Sequence, residues 1–320
     1  MGMPTQQTPT IPLSGKDVQW SGQLSAWRAR ALQFLDQRVF VLLVLPAFLV
    51  LFLTTAGPFL GGLWFSFTNF NLGAKETQFV GLQTYRFVLT NPSTHNAILR
   101  SFYLVFAAVG LEMVLGMGLA LLLARPFRGV HLVRTAVLLP LMTTPAVAAM
   151  AWRMLFNTRF GYVNYFLGLL RLPQLDWLGS PSLGMPALIL ADIWATTPFV
   201  ASLLLAGLLS LPEEPLEAAV VDGASAWQQF WHITLPLLRP VLALTIMFRV
   251  TDAFRKFESV LILTGGGPGE VTTIINFLAY NVGFYFLRMA DACVMAVVLV
   301  LLMLIAVFFC LKWLQQNEAA

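Results

Sequence analysis

The chain has 320 residues, 58% hydrophobic and only 11% charged, with a net charge of +4. Soluble domains carry about 25% charged residues, so this composition excludes an ordinary globular enzyme and indicates a membrane protein. The small basic excess fits residues anchored at a membrane face, and no basic cluster interleaved with polar loops points to nucleic acid.

Residues 1 to 24 are rich in Pro, Thr, Gln and Ser, a composition that buries little apolar surface. The opening Met1-Gly2-Met3-Pro4-Thr5-Gln6 lacks the Ser or Thr of an N-myristoylation site. The first apolar run begins near Val39, too deep and too long for a cleavable signal peptide, so an uncleaved chain is expected. Residues 25–38 suit either an interfacial helix, with Trp27, Leu32 and Leu35 against lipid headgroups, or an ordinary polar tail.

Six apolar stretches follow, near 39–67, 97–124, 132–156, 184–211, 238–263 and 289–312. About 20 such residues cross a hydrocarbon layer of about 30 Å, so the expected fold is all-α, a polytopic membrane protein with about six transmembrane helices. Pro46, Pro140, Pro145 and Pro198 fall inside these stretches, where neighbouring groups in a membrane bundle re-satisfy the freed carbonyls. Residues 271–287 are uncharged and present two readings: a seventh span, or a helix lying on or dipping into the outer surface, which is the favoured one. Cys293 and Cys310 share the last run, about 25 Å apart if helical, too far to bridge.

Lys16, Arg28, Arg30 and Arg38 precede the first span, and Arg125, Arg128 and Arg134 fill the short link after the second. With Arg239 and Lys312 on the same side, the bias favours both termini in the cytoplasm. The other loops carry Lys75, Arg86, Arg100, Arg159, Arg171 and Arg288 over longer segments.

Between the fourth and fifth spans lies a mixed, charged stretch, Glu217 to Pro240 (EAAVVDGASAWQQFWHITLPLLRP). A polar insertion there has no lipid reason to exist. Pro215 suits the first turn of a short helix, and Ala218, Ala219, Val220 and Val221 give it a small face that a partner can approach. Gly223 supplies a turn, and residues 224–234 form a second helix with Trp227, Phe230 and Trp231 at spacings of three and four. The pattern predicts a rigid knob facing water.

Glu217-Ala218-Ala219, Asp222-Gly223-Ala224, Phe230, Ile233 and Leu235-Pro236 resemble the coupling loop of ATP-binding-cassette importer permeases. Gly81-Leu82 with Tyr85, and Leu263-Thr264-Gly265-Gly266-Gly267-Pro268-Gly269, look like outer motifs of the maltose, trehalose and glycerol-phosphate importers. The resemblance implies a type I importer (MetI-like) core over residues 95–312, preceded by a tail at 1–38 and a first transmembrane helix at 39–67. Its coupling loop, 212–240, would meet the ATPase subunit through Glu217, Ala218, Ala219, Asp222, Gly223 and Phe230. Glu217 would pair with a basic group there, and Asp222 and Gly223 would shape the turn. The implied assembly has a second, homologous but non-identical permease, two cassette ATPase subunits and an extracytoplasmic solute-binding protein, moving a sugar or polyol by alternating access. No G-x-x-x-x-G-K-[ST] occurs, so ATP hydrolysis belongs to another subunit, and no cofactor or metal is expected.

Ionisable residues at membrane depth cost roughly 3 kcal/mol each and face a cavity or a partner. The fifth span carries Arg249, Asp252, Arg255, Lys256 and Glu258. On a continuous helix, Arg249, Asp252 and Lys256 fall within about 60° and form i,i+3 and i,i+4 pairs. Asp192, Thr196 and Phe199 make a matching face in the fourth span. Carboxylates and a cation suit sugar hydroxyls, and an aromatic ring suits a sugar's C–H face. By resemblance the substrate-lining positions are Asp192, Ala195, Thr196, Phe199, Asp252, Ala253 and Lys256. The other reading is that these charges pair only with each other or with the sister subunit. Glu112 is read as a buried pairing partner or an interface group. His95, His131 and His232 lack any metal-ligand spacing. Two rivals stand beside the importer: an ion-coupled secondary transporter using Glu112 and Asp252 as relays, and a membrane enzyme, for which no nucleophile or metal constellation is present.

Overall fold

The computed structural model describes residues 44–73 and 76–318, with side chains to Lys312. The tail and the interfacial helix expected at 25–38 lie outside the described residues. The chain divides at Gly61–Gly62. In the first unit, the described residues form most of α1 (Val44–Phe65), 22 residues long and apolar enough to cross a membrane, with no buried side chain up to Gly61. A π turn at Phe52–Ala56 precedes Gly57-Pro58, where proline has no N–H to continue the regular ladder.

The second unit runs α2 (Gln83–Thr90), α3 (Pro92–Ala124), α4 (Val130–Met142), α5 (Pro145–Leu155), α6 (Tyr162–Leu169) and α7 (Gly184–Leu209). Then come α8 (Glu214–Val221), α9 (Ala226–Leu237), α10 (Arg239–Phe254), α11 (Ile275–Tyr280, continued by a π turn to Tyr285) and α12 (Met289–Glu318). Among the described residues the extended structure is one isolated bridge, Thr68 to Phe79. Among the described residues, four helices are long and apolar enough to span, or up to six if each of two bent pairs counts as one.

α3 begins cleanly because Asn91 accepts from the Ser93 N–H and Pro92 occupies the first turn. It packs on α7 closely enough that a Cβ added at Gly116 would lie 2.6 Å from Val200 Cγ1. Thr196 meets Glu112 at a sequence separation of 84, the same separation as Val200 from Gly116. Equal offsets four residues apart mean that α3 and α7 run parallel. The chain between them must therefore return to its starting end.

The span expected at 132–156 is the α4–α5 pair, bent by 94°, and counts as one span if that pair is a broken one. The break falls at Thr144, which is extended at ψ 143 because the following Pro145 bars it from the helical region. Arg134 braces the bend by donating to the Leu123 carbonyl at 2.7 Å, one of the orphan acceptors ending α3.

α10 runs antiparallel to α7: Leu238 and Val241 crowd Gly207 near the end of α7, while Arg249 reaches Asp192 near its start. The span expected at 238–263 begins with α10 and is interrupted after Phe254. α9 and α10 bend by 69°, and α10 stops at Phe254 before a π turn at Val260–Thr264. The stop lies where Asp252, Arg255, Lys256 and Glu258 follow closely in sequence.

Helix α11 and its π turn rise about 17 Å, roughly half of a hydrocarbon core. The Ile275 N–H donates to Ser101 Oγ at 3.0 Å, and at the far end the Leu287 carbonyl accepts from Leu72 N–H at 3.0 Å. The segment's length falls short of that of a spanning helix. Behind it Phe254, Val105, Ile275, Val294 and Met295 form a core shared by α3, α10, α11 and α12.

Candidate functional site

Arg249 is almost wholly buried, its side chain 2% exposed, and it is held from three helices. Its Nε lies 2.7 Å from Glu112 Oε2 and its Nη2 3.0 Å from Glu112 Oε1, a two-pronged pair of α10 with α3. Nη1 donates to Asp252 Oδ2 at 2.6 Å, and Nη2 reaches Asp192 Oδ2 on α7 at 3.5 Å. Lys256 adds a second cation, with Nζ 2.6 Å from Asp192 Oδ1 and 3.7 Å from Asp252 Oδ2. Thr196 Oγ1 lies 2.6 Å from Glu112 Oε1 and 2.7 Å from the Asp192 carbonyl, so its single proton serves one of them at a time. A guanidinium fork suits this role because it saturates one carboxylate and still has donors for two more.

The cluster opens onto a cleft of about 210 Å³ between the α4–α5 bend, α7 and the end of α10. Asp192, Ala195, Thr196, Asp252 and Lys256, five of the positions expected to line a substrate site, are on its wall. Asp252 is the most open, with 57% of its side chain exposed. Two expected positions are not there. Ala253 is 1% exposed and packs into the core with Val105 and Phe254, on the opposite side of α10. Phe199 is half-buried on α7 but does not reach the wall. The aromatic ring on the cleft is Trp152 of α5, set edge-on to Trp194 at 5.9 Å. Sequence reasoning passed over Trp152 because only a bend at Thr144 turns α5 toward α7. Pro145 after two threonines was the available sign.

The segment after α7 forms two helical pieces joined by a tight turn. α8 ends with Gly223 N–H donating to the Val220 carbonyl at 3.1 Å and Ala224 N–H to that of Ala219 at 2.9 Å. This pairing needs a left-handed residue, and Gly223 supplies φ +76. Ser225 then caps α9, exchanging hydrogen bonds with Gln228. Glu217, Ala218, Asp222 and Gly223 are exposed, Ala219 is buried, and Phe230 is half-buried against the core of α3 and α7. Val221 is 87% and Trp227 70% exposed, an apolar surface on a knob that carries two acids at the start of α8.

No group of three or more metal-ligating side chains occurs among the described residues. The arrangement offers ion pairing and hydrogen bonding in a cleft, with an exposed knob at one end of the bundle.

The family described as "binding-protein-dependent transport system inner membrane component" matches residues 112–317. The chain is 37% identical to the trehalose/maltose transport system permease protein MalF of Thermococcus litoralis over 250 residues, 78% of this chain and 85% of that one. It is 36% identical to the trehalose transport system permease protein SugA of Mycobacterium tuberculosis, covering 77% and 78% of the two chains. A chain of a solved bacterial ABC transporter that imports the acidic polysaccharide alginate shares the fold, with a TM-score of 0.78 at 22% identity over 90% of this chain and 99% of that one. The chain belongs to the binding-protein-dependent transport system inner membrane components, and is a permease subunit rather than an enzyme.

Proposed function

We propose that this permease carries a carbohydrate across the membrane through the cleft at Asp192, Ala195, Thr196, Asp252 and Lys256, powered by separate ATPase subunits. The observation that carries this reading is one wall combining Asp252, Lys256 and Thr196 with the ring of Trp152. Sugars need hydroxyl partners on their edges and an aromatic surface on their C–H faces. The cleft joins three helical elements, so relative motion of α7 and α10 would open or close it. The relatives' names, trehalose and maltose, support the substrate class. They stand beside an acidic polysaccharide importer of the same fold, so family membership leaves the cargo's charge open.

In this reading the knob of α8 and α9 faces the cytoplasm and docks on an ATPase subunit, with Val220, Val221 and Trp227 in contact and Glu217 paired to a basic group. Both termini are then cytoplasmic. A second, non-identical permease completes the pathway, with two cassette ATPases and an extracytoplasmic solute-binding protein. The test is uptake by the reconstituted complex against a competing panel of mono- and disaccharides and polyols. ATP-dependent uptake blocked by one class of sugar is expected, and uptake that no sugar competes would overturn the proposal.

A further inference from the structure

We infer that the cargo of this permease carries no anionic group, and that Asp252 is the residue that enforces this. The inference rests on the carbohydrate reading above and concerns the charge of the sugar.

Each cation at the cleft already faces carboxylates of the bundle. Arg249 directs Nε and Nη2 to Glu112, Nη1 to Asp252 and a longer contact to Asp192, and its side chain is only 2% exposed. Lys256 sits between the carboxylates of Asp192 and Asp252, and 16% of it is exposed. Both are thus already paired with carboxylates, and a phosphate or carboxylate entering the cleft would compete with those pairs.

The spare capacity is of the other kind. Asp252 uses Oδ2 for both cations, and Oδ1 has no hydrogen-bond or ion-pair partner among the described residues. The carboxylate is fixed by Arg249 and open to the cleft, so its free oxygen can accept from a hydroxyl. Three carboxylates face two cations, so the cluster leaves a negative surplus, and the most exposed member of it is Asp252. A sugar hydroxyl gains an acceptor there, whereas an anionic substituent meets like charge.

The experiment uses the assembled importer without its solute-binding protein, so that selection by that subunit does not intervene. Binding is measured by titration for matched pairs: trehalose with trehalose 6-phosphate, maltose with its aldonic acid, and a hexitol with its phosphate. At least one neutral member is expected to bind at least tenfold more tightly than its anionic counterpart. Asp252→Asn should narrow that gap to threefold or less, because it keeps an acceptor and removes the charge. An anionic member binding as well as its neutral partner, or a gap unchanged in D252N, overturns the role of charge and spares the carbohydrate reading. Binding of no sugar from any pair overturns both. If D252N does not assemble, Asp252→Ser, which also removes the charge and keeps an oxygen, takes its place and is read by the same threefold limit.

Discussion

Arg249 and Glu112 are 137 residues apart in sequence and meet in a two-pronged ion pair, at 2.7 and 3.0 Å, with both side chains almost fully buried. The pair ties α10 to α3 at a depth where either partner alone would be a bare charge.

The first prediction follows from that burial. Arg249→Met strands Glu112 and Asp192 and should destabilise the protein by about 3–5 kcal/mol, whereas replacing Arg249 and Glu112 together with Met should recover much of the loss. Thermal unfolding of the single and double variants in detergent gives the coupling. Additive losses would mean that the pair contributes nothing as a pair.

Helix contact gives a second. Gly116→Ala places a methyl 2.6 Å from Val200 Cγ1, while nothing lies within 4 Å of the same atom at Gly118. The first substitution should cost about 1–3 kcal/mol by overpacking. The second should be neutral or stabilise by up to about 1 kcal/mol through helix propensity. Equal melting temperatures would show that α3 and α7 are not held this closely.

The exposed knob gives a third. Glu217→Ala should lower transport and sugar-stimulated ATP hydrolysis in the complex while leaving the inserted permease intact. Gly223→Ala should act in the same direction at a cost of about 1 kcal/mol, since only its φ of +76 resists a side chain. Wild-type stimulated hydrolysis in both variants would remove this segment from coupling.

A fourth concerns sidedness. In a background lacking Cys293 and Cys310, Val221→Cys and Lys312→Cys should react with an impermeant thiol reagent from one side, and Tyr285→Cys from the other. Labelling of Lys312→Cys from the same side as Tyr285→Cys would put a further crossing in the chain.

Much of this architecture was legible in the sequence, because a continuous apolar run cannot hide. The runs at 97–124, 184–211 and 289–312 became α3, α7 and α12 with small shifts at their ends. The stretch at 132–156 became a pair bent at Thr144, and the one at 238–263 is interrupted after Phe254. Hydropathy averages over a bend, and Pro145 and the charges after Phe254 mattered more than the average. The cleft was legible in part for the same reason. Asp192, Thr196, Asp252 and Lys256 announce themselves as polar groups in apolar runs. Ala253 was assigned by alignment to a face that turns into the core, and Trp152 was hidden behind an unpredicted bend. That Arg249 would choose Glu112 as its main partner is a tertiary fact, since spacing within one helix favoured Asp252.

The parallel contact of α3 and α7 constrains how this chain tolerates length change. Gly116 faces Val200 and Glu112 faces Thr196 with one shared offset, so the two helices mesh like matched teeth. A residue inserted within either helix would turn everything beyond it by about 100° and advance it by about 1.5 Å. The small side of α3 would then leave Val200, and Glu112 would lose Thr196 together with Arg249. A residue added between Arg171 and Ser180, outside every helix, leaves the mesh in step. Insertions and deletions should therefore accumulate in that stretch and be purged from α3 and α7, whatever solute the permease carries.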